Sequence, residues 1–193
     1  MKKFTIEKTK FDDVLVITPS VFHDHRGYFC ETYNVENLSE SGFSEVFVQD
    51  NESKSGKNVL RGLHYQWQPA MGKLVRCVSG EIQDVIVDIR NDSPTYGEHF
   101  SIRLSETNKK QLWVPAGYAH GILSLQNNTV VSYKCSGTYN SAAESGISPL
   151  DTTLNIAWDC NTEDIILSDK DRAAQTFEEY SKLPKFTCEE KNV

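Results

Sequence analysis

Alternation with a period of two dominates the chain between Val14 and Cys135. In Asp84-Val85-Ile86-Val87-Asp88-Ile89-Arg90, the residues Val85, Val87 and Ile89 share one face, and Asp84, Asp88 and Arg90 share the other. Side chains of a strand point alternately to its two sides, so this is the period of a sheet. Phe100, Ile102 and Leu104 repeat it, and Val131, Tyr133 and Cys135 share a face further on. Turn formers divide the strands. Ser79-Gly80 predicts a hairpin between the strand starting at Lys73 and the one starting near Ile82, and Asn127-Asn128 predicts another between Leu125 and Val130. Helical spacing is confined to the edges: a short helix over Asn34 to Ser41, stopped by Gly42, and a longer one opened by Ser168 and running through Ala173, Ala174, Phe177 and Tyr180. Many closely spaced strands with helices at the ends predict a mainly β fold, an antiparallel jelly-roll barrel with a few short peripheral helices. Inward side chains from several strands converge in the mouth of such a barrel.

The 193 residues carry no repeat, low-complexity tract or linker, which predicts a single domain over residues 1–193. Twenty Lys and Arg stand against 27 Asp and Glu, for a net charge of −7, and no basic run suggests a nucleic-acid face. DNA and RNA are therefore not expected partners. The cysteines (Cys30, Cys77, Cys135, Cys160, Cys188) are odd in number, widely spaced and free of any CxxC. They read as reduced, small buried hydrophobes rather than a disulfide frame or zinc site. Met1-Lys2-Lys3-Phe4 lacks an apolar signal core, and no apolar run reaches membrane-spanning length. A cytoplasmic protein without membrane contact is expected.

Two segments change the picture: Arg61-Gly62-Leu63-His64-Tyr65-Gln66 and Val114-Pro115-Ala116-Gly117-Tyr118-Ala119-His120-Gly121. Each sets one histidine among strand formers and glycines, where an imidazole can take or give a proton near neutral pH. With these, the chain resembles the dTDP-4-dehydrorhamnose 3,5-epimerase family, whose fold is a cupin-like jelly roll. The resemblance runs nearly end to end, through Phe22 to Glu31, Val48-Gln49-Asp50-Asn51, Asn58-Val59-Leu60, Gly72 to Arg76, Val87 to Arg90, Ser93 to Gly97, Tyr133-Lys134 and Leu167 to Asp171. It implies a cofactor-independent isomerase, without a metal, that is a homodimer. Its substrate would be a dTDP-4-keto-6-deoxy sugar, inverted at carbon 3, carbon 5 or both, with the double inversion leading and a single epimerase as the alternative.

That reaction needs a base, a stabiliser for an enolate oxygen, and an acid on the opposite ring face. By match to the family's motif, His64 would be the base, and Asp171 would orient it and stabilise its imidazolium. Lys73 would face the oxyanion, Tyr133 would return the proton, and His120 would be a second donor near the sugar. For the nucleotide end, Arg26 and Arg61 match ligand-contacting arginines and Lys170 a further contact. Glu31, Gln49, Asn51 and Glu144 match polar contacts, and Tyr28 and Tyr139 are wall or stacking residues.

Each position also has a structural reading. His64 could be a core histidine, Tyr133 core packing, and Lys73 a solvated charge. Ser168-Asp169-Lys170-Asp171 has the form of a capping box, which would use Asp171 to start a helix. Arg26, Arg61 and Lys170 could be surface ion-pair partners. Pro115-x-Gly117-x-x-His120 looks like half of a cupin metal motif, but His64 is followed by Tyr65-Gln66 instead of a second histidine two residues on. A sugar-binding barrel without catalysis would keep the arginines and have no need of His64, Lys73 and Tyr133 together. One run departs from the double epimerases: after Gly146-Ile147 comes Ser148-Pro149-Leu150-Asp151, a form closer to relatives that invert only carbon 3 or only carbon 5. The loop from Gln66 to Gly72, with Trp67, Pro69 and Met71, is a second place where pocket shape could differ.

Overall fold

The computed structural model describes residues 3–188. Two antiparallel sheets face each other. The first runs β1 (Phe4–Lys8), β2 (Leu15–Pro19), β10 (Gln111–Val114), β7 (Lys73–Ser79), β12 (Thr129–Cys135) and β5 (Gln49–Ser55). The second runs β13 (Glu144–Gly146), β6 (Leu60–Gln66), β11 (Tyr118–Ser124), β8 (Glu81–Asp88) and β9 (His99–Ser105). A separate two-stranded ribbon is formed by β3 (Val21–Asp24) and β4 (Gly27–Cys30). From β5 onward the chain changes sheet at every step except β8 to β9. This alternation makes the jelly roll, and it fits the mainly β expectation.

It also corrects both predicted hairpins. β7 pairs with β10 and β12, while β8 pairs with β11 and β9, so Ser79-Gly80 carries the chain from one sheet to the other. Asn127-Asn128 does the same between β11 and β12. Gly80 and Asn128 take positive φ, as turn residues do. A turn signal encodes a change of direction, however, and not the partner that the next strand will meet.

Three apolar layers follow from the alternation. Between the sheets lie Val75, Cys77, Ile82, Ile86, Leu104, Leu112, Val114 and Val131. Outside the second sheet, Leu63, Tyr65, Val87, Ile89 and Ala119 pack under Phe177, Tyr180 and Phe186 from the C-terminal segment. Outside the first, Ile17, Leu74 and Trp113 pack under Leu38 and Phe43. Strand β8 is therefore buried on both faces, and removing a side chain such as Ile86 from water contributes about 1.5–3 kcal/mol. Its polar face, with Asp84 and Asp88, looks into the barrel and not into solvent.

Helix α1 (Val35–Glu40) forms where expected, with the Asn34 side chain accepting from the backbone N–H groups of Glu36 and Asn37. The long C-terminal helix is broken in two: α2 (Asp169–Arg172) and α3 (Phe177–Lys182). Thr176 opens α3 with its own capping box to Glu179. Between the helices, Gln175 pairs with Ile147 in a bridge and its amide donates to the Tyr65 hydroxyl. The break lets α2 dock against β6 on its own.

Candidate active site

Strand pairing brings the two histidine segments together. His64 on β6 lies opposite His120 on β11. Gly62 makes this close approach possible: its φ is +126°, and a Cβ there would come within 2.6 Å of the Gly121 Cα and the His120 carbonyl oxygen. From the facing sheet, Lys73 opens β7 beside Cys135, and Tyr133 on β12 sits between Val75 and Asn51. All four side chains line one cavity of about 430 Å³, together with Arg61, Lys170, Asp171 and an apolar wall of Val59, Leu60, Ile122, Ile166 and Leu167.

Asp171 comes from α2, where it meets both the Ser168 cap of the helix and the His64 imidazole. Its backbone N–H donates to Ser168 Oγ at 3.1 Å, the helix cap, while Ser168 Oγ–H donates to Asp171 Oδ2 at 2.8 Å. The other carboxylate oxygen, Oδ1, lies 2.5 Å from His64 Nε2. Capping thus fixes the aspartate, and the aspartate fixes the imidazole. With the ring proton held on Nε2, the Nδ1 lone pair is left to act on a ligand.

The charges are tuned by burial and by neighbours. Desolvation pulls the Lys73 ammonium below the usual lysine range, against the opposing pull of Cys135, Glu144 and Asp84. Burial, reinforced by Cys135, pushes the Tyr133 hydroxyl up, and a hydrogen bond with Asn51 opposes it. Tyr133 therefore stays protonated at neutral pH. Burial also pushes the Asp171 carboxyl up, but hydrogen bonds from His64 and Ser168 and the charge of Lys170 outweigh it, and the net shift is downward. The site holds an imidazole on an anionic anchor, a phenol that keeps its proton, and a desolvated cation. That set suits removal and return of a carbon-bound proton next to a carbonyl.

Five of the expected binding residues form one hydrogen-bonded chain along the rim, of which Lys170 lines the cavity itself. Lys170 Nζ donates to Glu144 Oε2 at 2.5 Å, and the Tyr139 hydroxyl donates to the same oxygen at 3.1 Å. The Tyr139 backbone N–H donates to Gln49 Oε1 at 2.9 Å, and Gln49 Nε2 donates to Asn51 Oδ1 at 3.1 Å. Arg61 is exposed at the cavity edge, steadied by Ser55 and the Lys54 carbonyl. Arg26 and Glu31 are not brought to this cavity. Arg26 is at the tip of the β3–β4 ribbon on Asp24, and Glu31 accepts from Asn34 and Asn37 at the start of α1. Tyr28 stands on the same ribbon, exposed, its hydroxyl taking a hydrogen bond from Lys109.

One residue of the site was not foreseen. Asp84 lies 2.9 Å from His120 Nε2 through Oδ1 and is fully buried. The only sequence signal for it was an acid in an alternating strand with Ile82 and Ile86 two residues away on either side. Ser148-Pro149-Leu150-Asp151, in turn, lines no part of the cavity. Asp151 accepts from the backbone N–H groups of Thr153, Leu154 and Phe177, and the Pro149 carbonyl accepts from the Trp158 indole. Through the Phe177 contact this run anchors the start of α3. Trp67, Pro69 and Met71 likewise lie outside the cavity lining. Among the described residues, no group of three or more His, Cys, Asp or Glu side chains is placed to hold a metal ion.

Residues 8–179 match the sequence model of the dTDP-4-dehydrorhamnose 3,5-epimerase family. The chain is 49% identical over 172 residues to the dTDP-4-dehydrorhamnose 3,5-epimerase of Shigella flexneri, covering 88% of this chain and 94% of that protein. It is 46% identical over 173 residues to the enzyme of the same name from Methanothermobacter thermautotrophicus, covering 89% and 94%. Its fold is similar to the crystal structure of the dTDP-6-deoxy-D-glucose-3,5-epimerase of Legionella pneumophila in complex with dTDP-4-keto-L-rhamnose. The TM-score is 0.86 at 43% identity, with 91% of this chain and 93% of that one covered.

Proposed function

Since the chain belongs to the dTDP-4-dehydrorhamnose 3,5-epimerase family, we propose that it converts dTDP-4-dehydro-6-deoxy-glucose to dTDP-4-dehydro-L-rhamnose. It does so by inverting carbons 3 and 5 through enolates. The observation that carries this reading is the meeting of His64, Lys73, Tyr133 and Asp171 in one cavity. Carbons 3 and 5 flank the carbon-4 ketone, so their hydrogens are the acidic ones. His64 Nδ1 takes the proton, the C–H electron pair becomes a C=C bond, and the carbonyl becomes an oxyanion facing Lys73. The Tyr133 O–H then gives its proton to the same carbon from the opposite face, which inverts the centre. The imidazolium, steadied by Asp171, loses its proton to solvent, and the Tyr133 phenolate regains one. No step calls on a cofactor. Gln49, Asn51, Arg61, His120, Tyr139, Glu144 and Lys170 hold the nucleotide and sugar.

The test is proton NMR of the keto sugar nucleotide in D₂O. Deuterium entering at both carbons, with inversion at both, is the expected result. Exchange and inversion at one carbon would establish a single epimerase, and no exchange would leave a binding barrel. The Tyr133→Phe variant separates acid from base. It is expected to lose inversion by about 10²–10⁴-fold while still exchanging deuterium, because His64 can return a proton to the face it came from. Equal loss of exchange and inversion would remove Tyr133 from the acid role.

We also propose a homodimer. Phe22, Tyr28 and Phe29 are 47%, 56% and 68% exposed on the β3–β4 ribbon, an apolar surface that a second copy would cover. The ligand-contact roles expected of Arg26, on the ribbon, and Glu31, just beyond its end, then fall to one copy reaching the cavity of the other. Light scattering should give twice the chain mass. Mixing an Arg26→Ala chain with a His64→Asn chain should restore activity that neither has alone, and no recovery in mixed dimers would confine Arg26 to its own subunit. The shared interior core supports a single domain. No helix among the described residues is long and apolar enough to cross a membrane, and the five free cysteines support a cytoplasmic location.

A further inference from the structure

Asp84 and Asp88 are both fully buried on the inward face of β8, four residues apart, and they are treated very differently. Asp88 accepts from the Arg90 backbone and guanidinium and from the Ser93 and Thr95 hydroxyls, a closed network that holds the barrel end together. Asp84 has one side-chain partner, His120, and its Oδ2 is buried with none at all. Its inward neighbours along the strand, Ile82 and Ile86, are apolar and fully buried. A half-satisfied carboxylate in such a place lowers stability relative to an aliphatic side chain of similar size. Fold alone therefore gives no reason for an acid at this position.

We propose that Asp84 is a positioning residue of the epimerisation, an inference that rests on the function proposed above. Asp84 sits opposite Ile122 on β11 while His120 sits opposite Ile86, so the two side chains are diagonal neighbours on the inward face. The carboxylate holds the ring proton on His120 Nε2, and this leaves Nδ1 as the nitrogen available to the bound sugar. His120 lines the cavity directly opposite His64, so a rotated ring or the other tautomer would present the wrong atom to the substrate. The arrangement repeats the His64–Asp171 pair on the neighbouring strand, with one difference. Asp171 is secured by Ser168 and by the helix cap, whereas Asp84 is secured only by the strand that carries it.

Two variants read on this. Asp84→Leu removes charge and acceptor and suits the apolar surroundings; Asp84→Asn keeps an acceptor for Nε2–H and removes the charge. The leucine variant should melt at or above the wild-type temperature while its kcat falls about 10- to 100-fold, and the asparagine variant should recover part of that loss. Long-range proton–nitrogen spectra should show His120 protonated at Nε2 in the wild type and as mixed tautomers in Asp84→Leu. In a His120→Ala background the leucine substitution should cost no further activity. A lowered melting temperature with activity lost equally in both backgrounds would make Asp84 structural and overturn the proposal, as would an unchanged His120 spectrum. If the wild-type protein moves no deuterium into the sugar, the epimerase reading fails, and the ring spectra still decide whether Asp84 governs His120.

Discussion

His64→Asn is expected to lower turnover by about 10²–10⁴-fold, the worth of a positioned general base. Deuterium exchange should fall equally at carbon 3 and carbon 5, because one imidazole serves both. Nucleotide affinity should hold, since the rim chain from Lys170 through Glu144, Tyr139 and Gln49 to Asn51 does not pass through His64. The loss should therefore lie in kcat and not in KM, the mark of an interaction made at the transition state. NMR of the sugar in D₂O and calorimetry with dTDP measure the two quantities separately. Substantial exchange at either carbon in the variant would mean that another group removes the proton. His64→Gln is the companion variant, because a glutamine amide reaches the position of imidazole Nε2 and can still donate to Asp171 Oδ1, which keeps that buried carboxylate partnered.

Lys73→Met should cost about 10²–10³-fold in kcat, in line with deleting a donor to a developing oxyanion. Methionine keeps the length and apolar stem of lysine, so cavity shape is preserved. The wild-type pH profile should carry the same message. Desolvation holds the Lys73 ammonium below the usual lysine range, so the alkaline limb of kcat/KM should begin at lower pH than an ordinary lysine would give. The sign for stability is opposite. Between the folded and the unfolded pKa the unfolded chain binds more protons at this residue, so its contribution to stability improves as pH rises through that window. The stability difference between wild type and Lys73→Met should consequently shrink on the alkaline side while wild-type activity declines. Chemical denaturation of both proteins at several pH values checks this. A difference that does not change with pH would mean that Lys73 is solvated and of ordinary basicity.

The period-two alternation determined that the chain is built of strands, and the histidine segments with their flanking residues determined its family. Neither depends on long-range contacts. The short helix at Val35–Glu40 was legible for the same reason, since Asn34 caps it locally and Gly42 ends it. Partnership between elements was not legible. Ser79-Gly80 and Asn127-Asn128 read as hairpins because a turn is local, yet the strands they join pair elsewhere across the barrel. The C-terminal helix read as continuous because Ala173, Ala174, Phe177 and Tyr180 have helical spacing, and Gln175 breaks it through a bridge to Ile147 that its neighbours in sequence do not announce. Sequence named His64 and Asp171 as partners only through family resemblance, for 107 residues separate them, and the capped α2 docked on β6 makes the contact. Asp84 is the clearest case. An aspartate in an alternating strand signals a polar face, and whether that face meets solvent or the inside of a barrel is decided by the sheet that closes over it. Here it is the first sheet, with Lys73 and Tyr133, and enclosure is what turns an ordinary acid into His120's partner.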